Sequence, residues 1–258
     1  APAARRASPA SRRAGAIALA GAGVLVAGAG LAITGASAVL ASMLVTPPRT
    51  QPDDIRILGV DARGVRLGRT PDTGLPGTYA LWVGERHAVL GPVVADDAHS
   101  VTRAIDEPAR ELLAGATSAR WSGYVLHLPQ EVTDDVERVD VPTELGLAPA
   151  WIMGDQEAHT WCIQVHGRGV TRRETIRAVP AFLERGIPCM AVSYRNDTEA
   201  PPSLDGKFRL GPDEWRDVDD AIGVAVARGA RHIVLMGWSM GGQIALQVAR
   251  RSRHRRRI

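Results

Sequence analysis

Several things are scarce in this chain, and each shortage excludes a class of protein. Among 258 residues there are only two cysteines, Cys162 and Cys189, too few for a disulfide framework. Both fall in apolar runs, so they read as a pair of buried free thiols. No His, Cys, Asp or Glu cluster has metal-ligand spacing, so neither a metal nor another cofactor is expected. No charged residue occurs from Ala14 to Pro48. After Ser239 there is no Asp or Glu, and the one histidine is His254.

Charge is unevenly placed. The net charge is +3, but Arg5, Arg6, Arg12 and Arg13 precede residue 14, and six more arginines lie in the last nine positions. Residues 14–249 therefore hold 21 basic groups against 28 acidic ones, leaving an acidic body. A surface of that sign excludes nucleic acid as an expected partner.

The uncharged stretch at the front is long enough to cross the hydrocarbon core once, which takes about 20 residues. The arginines before it place the N-terminus in the cytoplasm and the main domain outside, by the positive-inside rule. The expected organisation is a basic cytoplasmic tail (1–13), a transmembrane anchor (14–46), a β-rich accessory region (47–130) and a partial α/β domain (131–258). A competing reading is a signal peptide cleaved at Ala36-Ser37-Ala38. The apolar run is much longer than the usual h-region of about 7–15 residues.

Within 47–130, alternation between turn signals predicts strands at Ile55–Val60, Val65–Gly68, Tyr79–Val83 and His87–Val94. A helix is expected within 99–116 and another strand at Gly123–Leu128. No catalytic constellation is visible there, and His87 and His99 read as surface residues. After Pro129 the pattern changes. Val136–Val141 and Pro149–Met153 read as a strand pair. Apolar runs at Trp161–Val165, Pro188–Tyr194 and His232–Met236 alternate with helices at Thr171–Arg185, Asp213–Arg228 and from Gly242 to Arg250. That order predicts a parallel sheet with its site beyond the carboxyl ends of the strands.

Two of those ends carry chemistry. Gly237-Trp238-Ser239-Met240-Gly241 sits between a strand and a helix, where a strained turn exposes the serine hydroxyl and leaves no room for a Cβ at either glycine. His166-Gly167-Arg168-Gly169 follows another strand and can turn backbone N–H groups into the same place. An HGxG turn and a later GxSxG elbow resemble the α/β-hydrolase superfamily, and Ser193–Asp197 with Asp213–Asp217 are similar to membrane-anchored actinobacterial members. The resemblance covers roughly residues 130–250, the front half of that fold. It implies a Ser239 nucleophile and an oxyanion hole from the N–H groups of Met240 and Arg168, with Gly167 in the turn. Hydrolysis of an ester, thioester or amide in a small-molecule or acyl substrate would follow.

The same resemblance exposes a gap, since the family order is Ser, then Asp or Glu, then His. His254 lies among arginines with no carboxylate after it, so the triad acid and base are not found and little turnover is expected. A fragment or frameshifted product, a pseudoenzyme and a base borrowed from a partner chain are the competing accounts. His166 reads as structural, Arg195 as an ion-pair partner of Asp197 or Asp217, and Glu214, Asp219 and Asp220 as a solvated helix face. The Ser239 strand is expected at a sheet edge. The alternative function is a non-catalytic, membrane-anchored interaction protein.

Overall fold

The computed structural model describes residues 37, 39–48 and 52–258. The expected basic tail and most of the expected anchor lie outside the described residues. Residues 39–45 are helical, and among the described residues no helix is long and apolar enough to cross a membrane. The chain divides into a unit ending at Thr46 and a unit from Pro47 onward.

The second unit contains two sheets. The first has seven strands: β1 (Ile55–Asp61), β2 (Gly64–Gly68), β3 (Tyr79–Val83), β4 (Arg86–Leu90), β5 (Val93–Asp96), β6 (Ser100–Arg103) and β7 (Ser118–Ser122). They are ordered β4-β3-β7-β1-β2-β6-β5 with antiparallel neighbours. Helix α1 (Glu107–Leu113) covers one face, and its Ala109 and Leu113 join a core with Ile55, Leu67, Leu81 and Leu90. Asp106 caps this helix, accepting from the Ala109 N–H at 2.9 Å.

Arg103 is buried in this sheet, donating to the carbonyls of Gly91 (3.0 Å), Thr73 (3.2 Å), Leu75 (2.9 Å) and Gly77. It ties the loop between β2 and β3 to the sheet. Three expectations shift here. His87–Val94 is two strands, because Gly91-Pro92 interrupts the ladder and proline has no N–H to pair. The 99–116 stretch divides into β6 and α1 around the Asp106 cap. The strand expected at Gly123–Leu128 lies earlier, at Ser118–Ser122, where it pairs with β1 and β3.

The second sheet orders β12-β10-β11-β9-β8, from β8 (Val136–Thr143), β9 (Gly146–Met153), β10 (Thr160–Val165), β11 (Cys189–Val192) and β12 (His232–Gly237). β11, β10 and β12 run parallel, and β8 and β9 antiparallel to their neighbours. Trp161, Ile163 and Val165 point to the face covered by α3 (Trp215–Ala227) and α4 (Met240–Arg251), sharing a core with Val218, Ile222, Ile244 and Val248. Cys162 points the other way, with Cys189, Ile176 and Val179. This period-2 division of a continuous apolar run is how a parallel strand feeds two cores. Cys162 and Cys189 are free, buried and in register across β10 and β11.

Thr171–Arg185 is not one helix. A 3-10 turn over Arg172–Ala178 passes into α2 (Val179–Leu183). Pro180 accounts for the break, since it lacks an N–H and clashes with the carbonyl of the preceding turn. β12 is the edge strand, as expected.

Candidate active site

The site is built where β12 meets α4. Ser239 has φ 49° and ψ −116°, a conformation that side chains rarely adopt, and it is exposed. The flanking glycines make this turn sterically possible. A Cβ at Gly237 would overlap the Gly241 carbonyl, and one at Gly241 would overlap the carbonyl oxygen of Val165. The turn is thereby wedged against the end of β10, where the second motif begins. A Cβ on Gly167 would stand 3.4 Å from the Ser239 Cβ, so the two turns share one site.

The loop that carries Gly167 is held from behind. The Tyr194 hydroxyl lies 3.1 Å from the His166 carbonyl oxygen and 3.0 Å from that of Gly167. The His166 ring stacks on Tyr194, with centroids 4.3 Å apart. Its Nδ1 lies 2.8 Å from the Gly167 carbonyl and its Nε2 3.1 Å from Asp197 Oδ2. Both ring nitrogens are thus spent on the scaffold, as the structural reading expects. Burial pushes the Asp197 carboxyl up, but hydrogen bonding and charge from His166 outweigh it and hold the group below the usual range.

Arg195 takes the other acid. Its Nε and Nη2 donate to Asp217 at 2.9 and 2.6 Å, and its backbone N–H at 2.7 Å. Its Nη1 also meets Glu144 at 2.7 Å. The solvated helix face expected of Glu214 and Asp219 is corrected: both are buried. Glu214 accepts from the N–H groups of Arg209 (2.6 Å) and Gly211 (2.8 Å), and Asp219 from the Ser252 hydroxyl. Asp220 is half-buried and pairs with Arg253 at 2.9 Å. Glu214 thus closes the loop just before its helix, while Asp219 and Asp220 meet a C-terminal segment 33 residues away.

Of the expected oxyanion donors, Met240 begins α4 immediately after Ser239, and among the described residues no acceptor takes its N–H. Arg168 lies in the same turn as Gly167. The Gly167 N–H is occupied: it donates to Glu174 Oε2 at 2.7 Å. A carboxylate therefore sits beside the Gly167 turn that faces Ser239. Glu174 is seven residues beyond Gly167, and no local sequence pattern marks it for that role.

Among the described residues no histidine nitrogen is bonded to the Ser239 hydroxyl. His254 accepts from its neighbour Arg253 at 3.1 Å. Its segment docks at the start of β12, where the Ile233 N–H meets the Arg257 carbonyl at 2.7 Å. Ser239 lies beyond the strand's other end, about 20 Å away for six residues at a strand's rise. That placement sets His254 at the far end of the strand from Ser239.

The accessory region contributes what sequence reasoning missed. Arg177 lies over Trp238 (4.9 Å) and over Tyr124 (5.9 Å), bridging the residue before Ser239 to the loop after β7. In that loop His127 is buried edge-on to Trp82 (4.3 Å) and His87 (4.2 Å), and among the described residues neither of its ring nitrogens has a partner. Burial first, then the charges of His87, Arg173 and Arg120, push the His127 pKa down to about 3.

Among known families, residues 165–258 match the Alpha/beta hydrolase family, and residues 56–122 match a Domain of unknown function (DUF8805). The α/β-hydrolase resemblance holds over the segment that carries Ser239. No curated protein matches the chain. Similar solved structures include a Pyrococcus furiosus esterase, 19 % identical over 49 % of this chain and 48 % of that one, at a TM-score of 0.43. An epoxide hydrolase from an endophytic Streptomyces is 20 % identical over 46 % and 34 %, at 0.38. An alpha-beta hydrolase from Vibrio vulnificus is 22 % identical over 57 % and 45 %, at 0.38. The chain spans about half, or less, of the length of these structures.

Proposed function

We propose that the α/β unit is a serine hydrolase module that forms an acyl-enzyme at Ser239 from an ester, thioester or amide. One observation supports it above the others: a serine held at φ 49° between two glycines that cannot carry a Cβ, with the Gly167 turn against it. A packing turn has no use for that strain. In the reaction the Ser239 oxygen attacks the carbonyl carbon while its proton passes to a base. The oxyanion is stabilised by the Met240 N–H and by the turn bearing Gly167 and Arg168, and the leaving group departs with a proton. Water then releases the acid.

Among the described residues no histidine nitrogen is bonded to the Ser239 hydroxyl, so slow acylation is expected of this module. A fluorophosphonate probe checks both statements. Slow labelling that disappears in Ser239→Ala is the expected outcome. Fast labelling of the unsubstituted chain would contradict the missing base, and labelling that survives the substitution would contradict the nucleophile. We further propose that residues 14–46 anchor the chain with its main domain outside, a reading supported by the uncharged run and the arginines before it. Protease cleavage of the main domain in right-side-out vesicles is expected; full protection would contradict it.

A further inference from the structure

A cleft of about 600 Å3 opens between the seven-stranded sheet and the loop that follows the HGxG turn. Its walls include Trp82, Trp121 and Tyr124 from the sheet side, with Arg120 beside them, and Thr171 and Arg173 from the loop side. Arg120 stacks over Trp82 at 5.4 Å and Arg173 over Trp151 at 5.8 Å. Among the described residues neither guanidinium has a carboxylate partner, unlike Arg172 next door, which is paired with Glu199, and Arg195, which is paired with Asp217. Both act on the same neighbours: each lowers the pKa of His127 and opposes the rise of that of Tyr124. Two acidic groups line the cleft: Glu199, whose charge is taken by Arg172, and Glu85, which has no partner among the described residues and is exposed at the turn between β3 and β4. Gly169, two residues beyond Gly167, also lines the cleft, so whatever fills it lies next to the oxyanion turn.

Two unpaired guanidinium groups over aromatic faces are the chemistry for a carboxylate or phosphate carried on a flat apolar body, since the planar fork takes the anion and the rings take the body. We infer that this cleft, framed by Trp82, Trp121, Arg120 and Arg173, binds an organic anion, and that the substrate of Ser239 carries that anionic group. The second half of this statement rests on the hydrolase reading; the binding does not.

Calorimetric titration of the full chain with 1-naphthoate, 1-naphthyl phosphate and the neutral 1-naphthalenemethanol tests it, with Ser239→Ala run in parallel. At least one anion should bind roughly tenfold or more tighter than the alcohol, with equal affinity in Ser239→Ala. Arg120→Gln/Arg173→Gln should lose that advantage while the alcohol is unaffected. Equal affinities for anions and alcohol in the unsubstituted chain, or an anion preference unchanged in a folded double variant, would overturn the inference. The comparison of ligands on the unsubstituted chain decides the matter even if the double variant does not fold. Anion binding alongside a failure of Ser239 to label would refute the hydrolase reading and leave the cleft standing.

Discussion

The regions behind and in front of Ser239 treat charge in opposite ways. Behind it, in the five-stranded sheet, His166 faces Asp197 and Arg195 faces Asp217, both pairs buried and closed by hydrogen bonds, with the exposed Glu144 as a second partner of Arg195. In front of it, where the seven-stranded sheet meets the loop after the HGxG turn, among the described residues Arg120 and Arg173 have no carboxylate and both His127 nitrogens are unpartnered. Saturated buried charge is architecture, since an unpaired group there would cost several kcal/mol. Unsaturated polar groups around an open cleft are where a ligand can supply the missing partner. The contrast therefore separates what holds the elbow from what it serves.

Breaking the saturated side should have the largest effect. Asp217→Ala leaves the Arg195 guanidinium buried beside only Glu144, and should cost about 4 kcal/mol in urea unfolding. Gly237→Ala drives a Cβ into the Gly241 carbonyl and should cost about 3 kcal/mol, together with loss of probe labelling. Equal stability of either variant to the parent would dissolve the distinction between the two regions.

The unsaturated side should show itself in pH and rate before it shows in stability. His127 has its folded pKa pushed from 6.5 down to about 3. Between those values the unfolded chain binds a proton that the folded chain does not, so stability should fall as pH drops from 6.5 towards 3. His127→Phe should flatten the slope in that window; an unchanged slope would assign it to other groups. Asp197, with its pKa held low, adds stability that is present above pH 3.8 and lost as pH falls through its folded value. Glu174→Ala should release the Gly167 N–H and raise the rate of Ser239 modification about tenfold, the scale of an oxyanion donor's contribution or somewhat below it. A lower rate would instead make Glu174 a support of the turn.

Much of the saturated side was legible in the sequence. Parallel strands buried on both faces leave continuous apolar runs, and an elbow leaves glycines at fixed offsets, so β10, β11, β12 and Ser239 could be placed from local pattern alone. The unsaturated side was not legible. Glu174 reaches Gly167 across a 3-10 turn, and the Tyr124–Arg177–Trp238 bridge joins three distant segments. Arg103 looked like any other arginine until four carbonyls converged on it. Contacts of this kind are set by tertiary approach and leave no periodicity. Asp219 misled for the same reason, because its partner Ser252 lies 33 residues on, whereas Glu214 caps the loop just before its helix through the N–H groups of Arg209 and Gly211.

The proposal that Ser239 is a nucleophile lacking its base is tested most directly by supplying a base from solution. p-Nitrophenyl acetate is added at a fixed concentration while imidazole is varied, and acetylation is located by mass spectrometry of peptides. Acetyl-Ser239 should form at a rate that rises with imidazole, with none at that peptide in Ser239→Ala. A rate independent of imidazole would contradict the missing base, and acetylation confined to other residues would contradict the nucleophile.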